Sequence, residues 1–383
     1  MISVSAKIKQ MNLTKTAELV KKLVKYLFIT IGSYYLLVYV IFPGSVSIFK
    51  ALFVKKVPPN TIYNQLDQLE FVKKKINNEN ITYTLNTANA KLPTEFPDKM
   101  KVYKFKPPQY SYLAGKNASA EAAVLGFGDE DLRTDLTGTV YKWRNSRTLS
   151  NLSIDIHTRE IHLDTDMEGR GSDFVKGSIN STEAVQIGRN TMSSIHRFDD
   201  SLYPNGEQKV KLGYYIGNRL FETENQSEAQ VALVDFYRSI EKYPILGPDP
   251  SKGLMRIIVS KKSKLPNPLN NPFLEATYWE IETETNATYP IIPVQEAWNM
   301  VTEGKAVITQ VTPKQSNPFE PYYPVSVEKV LIDNIYLAYY ETPKLQTYLQ
   351  PIYVFSGKYT TRGTEGGDVT LYFPAITGEW TKQ

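Results

Sequence analysis

Leu27 to Ile48, LFITIGSYYLLVYVIFPGSVSI, is a run of 22 residues without a charged side chain. About 20 apolar residues in an α-helix, at ~1.5 Å per residue, match the ~30 Å hydrocarbon core of a bilayer. Before the run stand Lys7, Lys9, Lys15, Lys21, Lys22 and Lys25 against one acid, Glu18. A Lys excess on one flank predicts a cytoplasmic N-terminus, with everything past Lys50 outside. The expectation is a single-pass protein of the cell membrane: a cytoplasmic basic tail over 1–26, a transmembrane helix over 27–48, and an extracytoplasmic bulk. The run exceeds a signal-peptide core and lacks a clean small-x-small cleavage site, Gly44-Ser45 being nearest. An uncleaved anchor is therefore preferred. Within it, Gly32 and Ser33 are small enough to seat a neighbouring helix. With Tyr34, Tyr35 and Tyr39 they are the candidate partner-binding residues, the tyrosines doubling as an interfacial belt.

Charge supports the same division. Residues 1–56 hold nine Lys and one Glu, a net +8, so the rest of the chain carries −4 of the formal +4. A mildly acidic bulk has no basic face for nucleic acid. Cys is absent, which excludes thiol chemistry and disulfides and suits a bacterium that does not oxidise its exported proteins. Seven Asn-x-Ser/Thr sequons occur, at Asn12, Asn80, Asn117, Asn151, Asn180, Asn225 and Asn286, most of them expected by chance in so Asn-rich a chain.

Beyond the anchor, helices are short and strands long. Asn60 caps a predicted helix to about Asn77, with Ile62, Leu66, Leu69 and Ile76 near one face. A strand is predicted over Lys101–Lys106 and a helix over Ala118–Leu125, stopped by Gly126. Leu152, Ile154 and Ile156, then Ile161 and Leu163, alternate with polar residues as a hairpin. A Thr158-Arg159 turn pairs Ile156 with Ile161 and Ile154 with Leu163, and on the polar face Asp155 with His162 and His157 with Glu160. Asn180 and Glu183 form a capping-box pattern for a helix to about Ile195, with Ala184, Ile187 and Ile195 inward. Strands follow near Lys209–Ile216, Gln230–Ile240, Leu254–Ser260 and Ala276–Ile281, with a surface loop over Pro266–Pro272. Pro293 opens a helix carrying Val294, Ala297, Trp298 and Val301, stopped at Gly304. Strands return at Ala306–Val311, Val325–Tyr340, Tyr348–Gly357 and Val369–Pro374, with a Gly-rich tip over Thr361–Gly367. Single helices between antiparallel runs read as α+β. The predicted domains are a membrane-proximal one over 57–179 and a membrane-distal one over 180–383.

Tyr289–Trp298 (YPIIPVQEAW), Gly304, Ile335–Tyr340 (IYLAYY) and Leu349–Gly357 (LQPIYVFSG) together resemble the C-terminal module of YycH/YycI-type proteins. Asn180–Ile195 resembles a weaker second copy of the opening helix. The resemblance covers roughly the last 100 residues and the topology. It implies PepSY-like units, short helices packed on antiparallel sheets behind an N-terminal transmembrane helix. It also implies a regulator that associates with a membrane sensor histidine kinase. No functional residue is carried over, because the shared pattern is structural.

Site candidates are weighed against structural readings. His157, His162 and His196 are the only histidines. The first two share the hairpin's polar face near Asp155 and Glu160, as a metal or acid–base cluster or, preferred, as cross-strand charge pairs. Asp164, Asp166 and Glu168 before Gly169 have the alternating oxygens of a calcium loop, but its twelfth position is Val175. Asp129, Glu130, Asp131 and Asp135 read as a solvated acidic turn. Tyr336, Tyr339, Tyr340, Tyr348 and Tyr353 suit either glycan or peptide stacking or a half-buried sheet. No Gly-x-Ser-x-Gly, Walker, His-Glu-x-x-His or dinucleotide motif occurs. The expectation is a non-enzymatic protein without metal or cofactor. Its partners would be the lipid bilayer and a membrane protein such as a sensor kinase, bound through anchor and sheet edges. Alternatives are a structural subunit of a pilus, secretion or division assembly, and a cell-wall hydrolase or glycan binder.

Overall fold

The computed structural model describes residues 13–36, 38, 58–78, 80–109, 111–133, 138–198, 201–261 and 270–382. The chain divides into two compact units, Met1–Pro58 and Pro59–Gln383.

In the first unit one helix, α1, runs Leu13–Leu36. It takes in Lys15, Glu18, Lys21, Lys22 and Lys25, so its uncharged part is Tyr26–Leu36. Those eleven residues rise ~16 Å, about half of a hydrocarbon core. Among the described residues no helix is long and apolar enough to cross a membrane. The expected transmembrane helix over Leu27–Ile48, and with it the single-pass cell-membrane placement, is not supported. Of that expected span, residue 37 and residues 39–48 lie outside the described residues. Gly32, Ser33, Tyr34 and Tyr35 lie on α1, with Tyr34 and Tyr35 exposed and their rings edge to face at 6.5 Å. Tyr39 lies outside the described residues.

The second unit is strand-dominated and built on two large sheets. Its strands are β1 (Thr82–Leu85), β2 (Lys99–Phe105), β3 (Val140–Asn145), β4 (Ser150–Asp155), β5 (Ile161–Thr165), β6 (Gln208–Ile216), β7 (Arg219–Thr223), β8 (Val231–Phe236) and β9 (Arg238–Ile240). Then come β10 (Tyr243–Leu246), β11 (Met255–Val259), β12 (Phe273–Ala276), β13 (Ile281–Pro290), β14 (Val307–Pro313), β15 (Lys329–Tyr340), β16 (Tyr348–Thr361) and β17 (Thr364–Pro374). Among the described residues three α-helices intervene: α2 (Ala114–Val124), α3 (Ser181–Ser194) and α4 (Val294–Thr302).

The eight-stranded sheet is antiparallel throughout, in the order β3-β4-β5-β12-β11-β8-β6-β7. Leu152, Ile154, Ile161 and Leu163 point from it into a core shared with Ala118 and Ala122 of α2 and Ala184 and Met192 of α3. The small residues let the helices sit close. A Cβ at Gly188 of α3 would lie 3.1 Å from the Phe236 ring and the Ile257 side chain. Asn180 caps α3 as expected, its side chain accepting from the Glu183 amide at 2.9 Å.

The nine-stranded sheet is mixed. It runs β13-β2-β16-β15-β10-β9, with β17 joining β14 to β16, and both β1 and β10 pair β15 in parallel. Its long meander β15–β17 buries Ile332, Leu337, Phe355 and Leu371 against Ala297 and Val301 of α4. Two different sheets, one mixed, correct the expected α+β arrangement of repeated short helices on antiparallel sheets behind a spanning helix. Each sheet draws on strands from both sides of residue 180.

Local departures have identifiable causes. The hairpin pairs Ile154 with Ile161 and Leu152 with Leu163, two residues off the expected register, so that His162 faces Ser153 and not Asp155. A wider turn does this: Asp155 Oδ1 accepts from the His157 and Thr158 amides at 2.8 and 3.2 Å, and Arg159 takes φ +62°. The same side chains still face inward because the shift preserves the period of two. Ala276–Ile281 is no strand but the crossing from β12 in one sheet to β13 in the other. Most of the Pro266–Pro272 loop lies outside the described residues.

Residues 60–77 form no helix. They run as an extended strap whose amides donate to neighbouring loops and strands: Leu66 to Trp380 O at 2.8 Å, Lys74 to Ile308 O at 2.8 Å, Asn77 to Val325 O at 2.9 Å. Its carbonyls accept from sheet side chains, Gln350 onto Asp67 at 2.8 Å and Tyr340 onto Glu70 at 3.2 Å. Tertiary partners at Leu66, Asp67, Glu70, Lys74 and Asn77 override the helical periodicity. Lys74 also pairs with Asp249 at 2.9 Å. Burial pushes the Asp249 carboxyl up, but hydrogen bonds from Ser251 and Lys74 outweigh it and hold the group below its usual 3.8. A depressed folded value adds stability above the unfolded value and loses it as pH falls through the folded one. Acidification below 3.8 should therefore loosen the strap. Hydrogen exchange should show faster Lys74 and Asn77 amides there, and Asp249→Asn should remove that pH dependence.

Candidate binding cleft

Where the chain passes between the sheets it leaves a cleft of about 710 Å³. One wall is a face of α2, Ala114, Asn117, Ala118 and Glu121. The others are the β4–β5 turn, the residues just past α3, and the two crossings, 106–109 and 278–280.

Arg197 organises these walls. Past α3 the chain turns with His196 at φ +53°, and the Arg197 amide closes back on Met192 O at 2.8 Å. This is a helix stop usually built on Gly, here with His in the left-handed position. It places the buried Arg197 guanidinium against both oxygens of Glu121 on α2, at 3.0 and 2.9 Å. Its Nε donates to Arg159 O at 3.1 Å, and Nη1 also reaches Ile195 O at 2.9 Å. One side chain thus ties α2, the end of α3 and the hairpin turn together. Burial pulls the Arg197 guanidinium below its usual value, against Glu121, which holds it charged.

Arg159 answers from the turn. Its Nη2 donates to His196 O at 2.9 Å, and its guanidinium lies over the Tyr278 ring at 5.3 Å. Both partners of that bond, Arg159 and His196, hold non-Gly residues at positive φ. Such conformations cost about 1–3 kcal/mol each and gather at functional sites. Beneath, Tyr278 lies 6.0 Å from the Arg238 guanidinium, which pairs with Glu341, both fully buried, and donates to Trp279 O at 3.0 Å.

The acids of the cleft are committed. Glu121 holds Arg197, Glu280 pairs with Lys106, and Asp155 caps the hairpin turn. Burial raises the Asp155 carboxyl, but hydrogen bonds from the His157 amide, Thr139 and Thr158 outweigh this and hold it low.

The sequence candidates are redistributed. His157 and His196 line this cleft, whereas His162 lies on the sheet face away from α2 and α3, edge-on to Phe273 at 5.9 Å. Asp164 and Glu168 share that face, along a groove of about 780 Å³. In the acidic loop Asp166 accepts from the Glu168 amide at 3.1 Å, and Gly169 turns at φ +71°. Among the described residues no group of His, Asp and Glu is placed to hold a metal. Asp129, Glu130 and Asp131 form a short 3-10 turn, where Asp131 accepts from the Gly128 amide at 3.1 Å; Asp135 lies outside the described residues. Tyr339, Tyr340 and Tyr353 are buried, and their hydroxyls donate to the carbonyls of Lys101, Glu70 and Ile292. Burial pushes the Tyr353 phenol up to about 12. Tyr336 and Tyr348 are half-buried. None of the three buried rings is presented to a ligand.

Arg159 enters the sequence reading only as a turn residue, and Arg197, Glu121 and Tyr278 not at all. They come from four distant segments, so no spacing marks them. The one local signal is the missing Gly after α3.

No protein-family model matches the chain, and no curated protein sequence matches it. Among solved structures, an uncharacterized protein from Eubacterium rectale ATCC 33656 is similar over 74% of this chain and 85% of that one, at 12% identity and a TM-score of 0.40.

Proposed function

We propose that the chain is a non-catalytic binding protein that holds, and so modulates, a protein partner, with a short segment of that partner lying along α2 in the cleft. The observation that carries this is how the cleft's polar groups are spent. Glu121, Asp155 and Glu280 all bond to the cleft's own walls. The result is a rigid trough, which limits the entropy cost of ordering a guest. An 11-residue helix gives it a wall ~16 Å long, enough for about five extended residues.

A displayed random-octapeptide library selected on the purified chain tests this. Asn117 is exposed on α2 and lines the cleft, so Asn117→Trp fills the trough without touching the core. Selected peptides should bind the wild type and lose about tenfold or more on the Trp variant. Peptides that bind both proteins equally would refute the cleft as the site. Turnover of a peptide or glycan, abolished by the same substitution, would refute the non-catalytic reading.

A further inference from the structure

We propose that Arg159 is a carboxylate-binding subsite within this cleft, so that the preferred guest is an acidic peptide segment. The inference rests on the cleft being the partner site and adds the chemistry of its guest.

Charge matching is the first ground. Each acid of the cleft already has a partner: Arg197 for Glu121, Lys106 for Glu280, and two backbone amides for Asp155. Arg159 has one hydrogen bond, to a neutral carbonyl, and one ring contact. Among the described residues no carboxylate pairs with it. Arg159 is thus a half-buried cation without a carboxylate partner, whereas the cleft's other two cations, Lys106 and Arg197, each have one.

Geometry is the second ground. A guanidinium recognises a carboxylate through two parallel N–H donors, and the contact is strongest where the fork is already held. Three constraints hold this one. Its backbone is locked in the left-handed turn, Nη2 is anchored on His196 O, and its plane is backed by Tyr278. Tyr278 is in turn bracketed by Arg238, which Glu341 fixes in the interior. Nε, Nη1 and the second Nη2 hydrogen are left for a guest. A single guanidinium fork without a carboxylate partner matches a monoanionic carboxylate, whereas phosphate recognition draws on several basic groups.

The test extends the octapeptide selection. Arg159→Gly keeps the left-handed turn without strain, and the Arg197 bond to residue 159 is to its carbonyl, so the cleft walls should persist. An unchanged urea midpoint would show this. Arg159→Lys keeps the charge but loses the fork. Selected peptides should carry Asp or Glu at one position. They should weaken about tenfold to a hundredfold on Arg159→Gly, or when that acid becomes Asn or Gln, with Lys only partly restoring binding. Peptides blocked by Asn117→Trp yet indifferent to Arg159→Gly would overturn the subsite and leave the cleft reading standing. Acidic peptides indifferent to Asn117→Trp would overturn the cleft itself. Displacement of the peptide by inorganic phosphate at lower concentration than by acetate would overturn the choice of carboxylate.

Discussion

Glu341→Gln should lower the stability of the folded chain by about 3–5 kcal/mol, read as a fall in the urea midpoint at unchanged slope. Glu341 and Arg238 are paired with no solvent exposure on either side chain. Removing the Glu341 charge takes one carboxylate from an ionised guanidinium in a low-dielectric interior, and that cost exceeds what the pair itself contributes. Arg238 cannot escape by losing its proton, because a guanidinium stays charged. It also donates to Trp279 O and lies 5.6 Å from the Tyr203 ring, so no nearby space lets it swing to solvent without unpacking those groups. The paired replacement Arg238→Met with Glu341→Leu should recover most of the loss, since hydrophobic residues of similar volume avoid both desolvation costs. Equal losses in the single and paired variants would refute the account and assign the effect to packing alone.

Phe236→Ala should cost a similar ~3–5 kcal/mol, through a cavity and not a charge. Phe236 is 1% exposed at the end of β8, edge-on to Phe198 at 5.2 Å and facing the Gly188 notch of α3. At that notch the Phe236 ring and Ile257 leave hardly any room even for a Cβ on Gly188, so the void opens under α3 and little can collapse into it. Amides of α3 should exchange faster than those of α4, which packs on the other sheet. The cleft should loosen as well, because Arg197 and His196 follow directly on α3. Uniform protection loss across both sheets would count against a local void.

Both variants act where distant segments meet, and that is also where sequence reasoning stops. Local features were legible. The Asn180 cap, the Gly304 stop at φ +74°, Pro293 before α4, and the inward faces of β4 and β5 follow from capping, turn chemistry and period, each a property of a few adjacent residues. The apolar run after Lys25 was equally plain as composition, yet composition does not say where a helix begins, and α1 begins at Leu13 among the charges. The strap over 60–77 has a helix's spacing but finds its hydrogen bonds on Trp380, Ile308, Gln350 and Tyr340, more than 200 residues away.

By itself, then, the sequence determined local elements such as α3, α4 and the β4–β5 hairpin and which of their side chains face a core, because periodicity and capping act over a turn or two. Only the tertiary structure decided the pairing of strands across residue 180, the mixed and antiparallel sheets, and the meeting of Glu121, Arg159, Arg197 and Tyr278 in one cleft. Those arrangements depend on contacts between residues dozens to hundreds of positions apart. Their energies are of the same size as the local preferences they override, so no window along the chain contains them.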